Sequence, residues 1–433
     1  MLTRSTAIFA AAAVLAGCAT AKPSSARTAS AATAHSPRII TPTAKSRIDS
    51  TLRAFVSSGR LVGASAVVWE KGREAYFGAF GLADREAGRP MTRDAIVQIY
   101  SMTKPITGVA MMQLYEQGKF QLDEPLAKYL PEFADVRVYA GTDSAGAPRL
   151  VPPERAITIR DITRHTAGFV AGAGEPGVGP LYRAADPLNR NNTLAQFSRK
   201  LASVPLAFQP GTRWSYGISV DVQAALVERV SGQAFGSYVR QHVLDPLGMR
   251  QTRYLVPESD QSRFAVLYQR GANGGLTRTP DSTYRAFNTR PWPLEPGAFG
   301  LTSTLDDYLR FTRMLLDGGE LDGVRILRPE TVRLMATNHL PATVKDSSFL
   351  TTKGQVGFGI DFAVRVAPPK SAAENNGTVG EFFWDGLAST LFWVDPANQL
   401  TAVLFTQIVP FDPVKLHKGF RDAVYAPINS PTR

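Results

Sequence analysis

Ser101 stands three residues ahead of Lys104 in the run Tyr100-Ser101-Met102-Thr103-Lys104-Pro105. A hydroxyl and an amine at that spacing share one face of a helix, so the lysine can reach the serine oxygen. The chemistry this permits is nucleophilic attack by the serine, with an acyl group carried on its oxygen. The following residues supply the helix. Ile106, Val109, Ala110, Met112 and Leu114 fall mostly at three- and four-residue spacing on an amphipathic pattern, and Gly118 fits the stop. Pro105 is tolerated only in a first turn, which places the helix start beside it. Ser101 then lies at the positive end of the helix dipole, which favours an alkoxide and disfavours a protonated lysine. Lys104 is the only lysine with a serine at this offset. An N-capping serine beside a solvated lysine would nonetheless read the same way.

A serine nucleophile needs a proton acceptor, and the sequence narrows the choice. No Gly-x-Ser-x-Gly elbow occurs; Gly217-Ile218-Ser219-Val220-Asp221 lacks the final glycine. The histidines form no His-x-x-x-His pair and Cys18 is the single cysteine, so no zinc or other metal is expected. No phosphate-cradling loop with a following lysine appears, and no cofactor is expected. His165, in His165-Thr166-Ala167-Gly168, reads as ordering its loop. Lysine and tyrosine remain, with ordinary values of ~10.4 and ~10. To act as a base near neutrality such a group must fall by roughly three pH units, about 4 kcal/mol. Burial lowers a lysine and a neighbouring cation lowers a tyrosine, so a Ser–Lys–Tyr cluster is physically sound. Tyr216 is the tyrosine singled out. It follows the Pro210-Gly211 turn and directly precedes the helical pattern Val220 to Val230.

The elements that must position these residues come from both ends of the chain. Arg47 to Ser57 has a helical face, and Ala64–Trp69 with Ala75–Phe80 reads as a hairpin across Glu70-Lys71-Gly72-Arg73. Ser303 and Thr304 ahead of Asp306 and Asp307 open a capped helix to about Leu316. Residues 356–366, 380–384, 387–394 and 401–406 read as strands, with a last helix after Pro413. The expected fold class is therefore α+β, a sheet built from residues 46–119 and 297–433. Residues 120–296, broken by Pro and Gly, read as an inserted, mainly helical lobe.

With 44% hydrophobic residues the chain can bury a large core, and its net charge of +11 is scattered rather than clustered. Nucleic-acid binding is not expected. Arg4 precedes an apolar run, Ala7 to Leu15, too short to span a bilayer. Leu15-Ala16-Gly17-Cys18 closes it like a bacterial lipoprotein cleavage box. Residues 1–17 read as a signal peptide, Cys18 as the lipidation site, and residues 18–45, rich in Ala, Ser, Thr and Pro, as a flexible tether. The expected location is the cell envelope on the periplasmic face, at the outer membrane if the host is Gram-negative.

In order and spacing, several segments resemble the serine hydrolase family of class C β-lactamases, D-alanyl-D-alanine carboxypeptidases and β-lactamase-like carboxylesterases. They are Ile99 to Lys104, Leu122-Asp123-Glu124-Pro125 with Tyr129 to Phe133, His165 to Gly168, Trp214-Ser215-Tyr216, Gly300 to Thr304 with Asp307-Tyr308, and the Trp384-Asp385-Gly386 turn. The resemblance implies a β-lactamase/DD-peptidase-like fold with its antiparallel sheet flanked by helices. It implies Ser101 as nucleophile, Lys104 and Tyr216 as the proton shuttle, and the backbone N–H groups of Ser101 and Leu387, just past Gly386, as the oxyanion hole. The chain departs from the family's β-lactam-hydrolysing members twice. Ile218 stands where they carry Asn, and Trp384 where they carry Lys. These departures suit an apolar acyl or alcohol group over penicillins and acidic peptide ends, and Asp385 would repel an anion. The expected activity is hydrolysis of esters with short or medium acyl groups. The alternatives are a β-lactamase or D-Ala-D-Ala carboxypeptidase, and a non-catalytic envelope binding protein.

Overall fold

The computed structural model describes residues 37–172, 174–344 and 347–427. The expected signal peptide, Cys18 and most of the expected tether lie outside the described residues. Helix α1 spans Pro42–Ser57, starting within the segment read as tether. Thr41 explains the early start: its hydroxyl accepts from the Ala44 N–H at 3.2 Å and Pro42 occupies the first turn. The hairpin follows as β1, Gly63–Glu70, and β2, Arg73–Asp84.

β1 is the seam of an eight-stranded antiparallel sheet. One edge of β1 pairs with β2, and the other pairs with the strand Leu400–Thr406, Ala64 facing Thr406. Beyond that strand lie, in order, Leu391–Asp395, Phe382–Asp385, Ala363–Arg365 and Val356–Phe358. The sheet is thus built from both chain ends, as the alternation of apolar segments implies. The expected single strand 356–366 is a hairpin instead. Gly359 donates to the Phe362 carbonyl at 2.8 Å and Asp361 takes φ +60°, which folds the segment back on itself.

Neighbouring residues of one strand face opposite sides of the sheet, and here each side carries a helix. Trp393 packs edge-on against Phe420 of the helix Leu416–Tyr425, which lies beside α1. Phe392 packs against Tyr308 of the helix Leu305–Leu316, capped by Thr304 as expected. Helix α2, Thr103–Glu116, holds Pro105 in its first turn. The apolar spacing suggests a surface helix, but α2 is buried on nearly every side, packed against the helix Ser219–Ser231. Between residues 120 and 296 the helices other than Ser219–Ser231 are short, and two small hairpins accompany them, Val138–Thr142 with Pro148–Val151 and Tyr268–Arg270 with Leu276–Arg278.

A buried charge cluster fixes the approach to the strand Phe382–Asp385. Glu381 Oε1 accepts from Arg365 Nε at 2.9 Å and from Arg421 Nη1 at 2.8 Å, and all three side chains are fully buried. The Arg421 guanidinium also lies 4.6 Å from the Phe383 and Trp393 ring centres. Removing the carboxylate would strand two guanidiniums without a counter-charge. Glu381→Ala is expected to lower the unfolding free energy by about 3–5 kcal/mol, measured by urea denaturation; a loss below about 1 kcal/mol would contradict this role.

Candidate active site

Ser101 sits on a short 3₁₀ turn, Tyr100–Met102, that feeds directly into α2. Tyr100 takes φ +46°, a left-handed backbone that a tyrosine adopts only when its surroundings enforce it. They do so from two sides. The Tyr308 hydroxyl donates to the Met102 carbonyl at 2.8 Å, and the Ile99 N–H donates to the Leu301 carbonyl at 3.1 Å.

Lys104, one turn on, is 3% exposed. Its Nζ donates to Ser101 Oγ at 3.2 Å and to the Ala298 carbonyl at 2.8 Å, and lies 4.6 Å from the Tyr216 ring centre. The structure therefore brings the Ser–Lys–Tyr set together, with the ammonium over the ring face of Tyr216. The phenol oxygen accepts from Trp384 Nε1 at 3.1 Å. Tyr216 is walled by Trp214, Phe349, Trp384 and His165, with ring centres 5.0–6.1 Å away. His165 is fully buried, its ring nitrogens have no partner among the described residues, and burial with Lys104 nearby holds its value well below the usual imidazole range. Its carbonyl accepts from the Ser215 N–H at 3.0 Å, which is a loop-ordering role.

The turn after Trp384 reaches the nucleophile closely enough that only glycine fits. A Cβ at Gly386 would lie 2.4 Å from the Ile99 carbonyl oxygen. The backbone N–H of Leu387, the next residue, has no acceptor among the described residues, while its side chain is exposed. Such a donor beside the serine can stabilise an oxyanion.

Two expectations for this turn need correction. Asp385 carries no free negative charge, because Lys353 Nζ is ion-paired with it and both are buried. Lys353, which the sequence reasoning passed over, lies 4.8 Å from the ring centres of Phe349, Trp384 and Phe411. Trp384 and, outside this turn, Ile218 are 1% and 5% exposed, so each is packed into its surroundings.

Two buried carboxyls were also missed. Asp221 Oδ1 accepts from the Ala298 N–H at 2.9 Å, holding the segment whose carbonyl receives Lys104. Asp361 Oδ1 accepts from Gln223 Nε2 at 3.0 Å, and its other oxygen packs against Gly108 of α2. Burial pushes Asp361 well above the carboxylate range and raises Asp221 to about 6, with Lys104 opposing both shifts.

Comparison with known proteins decides the family. A family model described as Beta-lactamase matches residues 48–426. The chain belongs to the beta-lactamase family. Within it, protein Rv1367c of Mycobacterium tuberculosis is 36% identical over 365 residues, 83% of this chain and 89% of that protein. Esterase EstB of Burkholderia gladioli is 32% identical over 403 residues, 88% of this chain and 95% of the esterase. Among solved structures, EstCE1, a hydrolase with promiscuous acyltransferase activity, superposes with a TM-score of 0.72 at 27% identity, covering 89% and 99% of the two chains. This beta-lactamase-family protein is a serine hydrolase.

Asp221 generates a pH signature. At low pH the folded and unfolded forms both hold its proton. Above the ordinary carboxylate value of 3.8 only the folded form does, so rising pH favours unfolding until about 6. In urea titrations the stability of the wild type relative to Asp221→Asn should fall by up to about 3 kcal/mol between pH 4 and 6 and then level off. A difference independent of pH would refute the assignment.

Proposed function

We propose that this beta-lactamase-family enzyme is a carboxylesterase on short or medium acyl esters, working through an acyl-enzyme at Ser101. The observation that carries the reading is the state of the turn at residues 384–386. The family's cation is replaced by Trp384, whose indole N–H is committed to Tyr216, and the nearest cation, Lys353, is committed to Asp385. That turn offers no free charge to the carboxylate of a penicillin or an acidic peptide end. The likeness to EstB supports the same conclusion.

In this reading Ser101 Oγ attacks the ester carbonyl carbon while its proton passes to the Lys104–Tyr216 pair. The backbone N–H groups of Ser101 and Leu387 receive the oxyanion. Collapse expels the alcohol, which takes that proton. Water then attacks the acyl-enzyme by the reverse route, releasing the acid and freeing Ser101. An acyl acceptor other than water would divert the same intermediate to transfer, an activity stated for EstCE1.

Wild type is expected to turn over p-nitrophenyl butanoate with little hydrolysis of a chromogenic cephalosporin, and Ser101→Ala to lose ester turnover by at least about a thousandfold. Brisk cephalosporin turnover, or an active Ser101→Ala, would reject the reading. We propose too that Cys18 anchors the enzyme to the envelope membrane. Labelling with a palmitate analogue should be lost in Cys18→Ser; label that persists would refute the anchor.

A further inference from the structure

Next to the turn that carries the nucleophile lies a cleft of about 210 Å³. Tyr100, the residue before Ser101, forms part of its wall, as do Phe299, Gly300 and Leu301, which continue the segment that receives Lys104. The lining is aromatic and polar, and it contains one formally charged side chain, Arg190.

Arg190 is held in an unusual state. Its guanidinium carbon lies 4.2 Å from the Phe287 ring centre and 5.2 Å from that of Trp292. Stacking occupies the faces of the guanidinium plane and leaves the N–H groups, which lie in the plane, directed past the rings. No carboxylate or carbonyl among the described residues accepts from them. Other arginines, Arg93, Arg155, Arg253, Arg278 and Arg365 among them, are ion-paired. Arg190 is half-buried, and burial lowers its guanidinium from the usual value. Several of the other polar groups of the wall are occupied. Gln98 donates to Asn288 Oδ1 at 2.8 Å and to the Tyr284 carbonyl at 3.0 Å, and the Tyr100 hydroxyl donates to Gln98 Oε1 at 3.2 Å. Among the lining residues Arg190 is therefore the one formally charged donor without an acceptor.

We infer that Arg190 is a specificity determinant that receives a carboxylate carried by the ester substrate, remote from the scissile bond. The inference rests on the ester reading and narrows its substrate class to monoesters bearing an acid, with apolar substance between the two groups. A guanidinium presents parallel N–H donors matched to the two oxygens of a carboxylate, and partial removal from water strengthens that pairing. The positive charge missing from the turn at Trp384 is in this way supplied from another wall, at a site formed by the segment after Asp186 rather than by the sheet.

The test uses the full chain, Arg190→Gln and Arg190→Lys with three esters. These are neutral p-nitrophenyl butanoate, mono-p-nitrophenyl glutarate with its acid on the acyl side, and p-butanoyloxybenzoate with its acid on the alcohol side. In Arg190→Gln the ratio of kcat/KM for at least one anionic ester to that for the neutral ester should fall at least about tenfold, chiefly through KM, with partial recovery in Arg190→Lys. Which anionic ester responds tells which side of the scissile bond enters the cleft. Unchanged ratios for both anionic esters, in a variant with wild-type circular dichroism, would overturn the inference. Should wild type hydrolyse no ester, the ester reading fails, and the cation is still read by calorimetric binding of monobenzyl glutarate to wild type and Arg190→Gln. Affinity lost in the variant would uphold a carboxylate site, and equal affinity or no binding would overturn it.

Discussion

Burying the ammonium of Lys104 is the constraint around which the site is arranged. A cation withdrawn from water is costly unless its donors and its charge are both met nearby. Ser101 and the Ala298 carbonyl take two of its hydrogens, and the Tyr216 ring presents its electron-rich face. Asp221 and Asp361 also lie within electrostatic reach, though burial raises both carboxyls and so limits the counter-charge they supply. These partners arrive from five separate stretches of chain, so the 3₁₀ turn, the 297–300 segment, the 165–216 loops, the helix Ser219–Ser231 and the 359–362 turn must all converge on α2. The same proximity that lets Lys104 share a proton with Ser101 also makes it a structural keystone.

In the proposed reading, the turn at Trp384 alters the selectivity of a family site and leaves its nucleophile in place. A lysine that would face the substrate has become an indole that faces Tyr216, and an aspartate that would face the substrate is neutralised by Lys353. Three aromatic rings surround that lysine. The charges present at this end of the cleft therefore cancel within the protein. What remains is a wall of rings, suited to apolar groups.

The parts of the fold that were legible in the sequence are those governed by local spacing. The hairpin at Glu70–Arg73, the capped helix after Thr304 and the closeness of Ser101 to Lys104 follow from periodicity, a cap and one helical turn. Tyr216 is singled out by the need for a proton acceptor and by its place between the Pro210-Gly211 turn and a helix. The resemblance adds the Trp214-Ser215-Tyr216 motif, since nothing local says that a tyrosine more than a hundred residues away will meet that lysine. Lys353, Asp361 and Arg190 escaped notice for a related reason. Each sits in an unremarkable stretch of sequence, and each acquires meaning only from what the tertiary fold packs against it. The hairpin at residues 359–362 was read as a straight strand because strand propensity on both sides outweighed a single glycine.

The pairing of β1 with the strand Leu400–Thr406 has a consequence for how the molecule is made. Ala64 finds its partner at Thr406 only after more than three hundred intervening residues have been synthesised. The seam of the sheet is therefore closed by a segment synthesised long after β1, and closing so long a loop is entropically slow. Ser101 and Lys104 emerge early and can form their helix early, yet the turn at Gly386 that must lie against Ile99 belongs to that late segment. In the proposed reading, the serine and the turn that completes its oxyanion site come together only once these two distant segments meet.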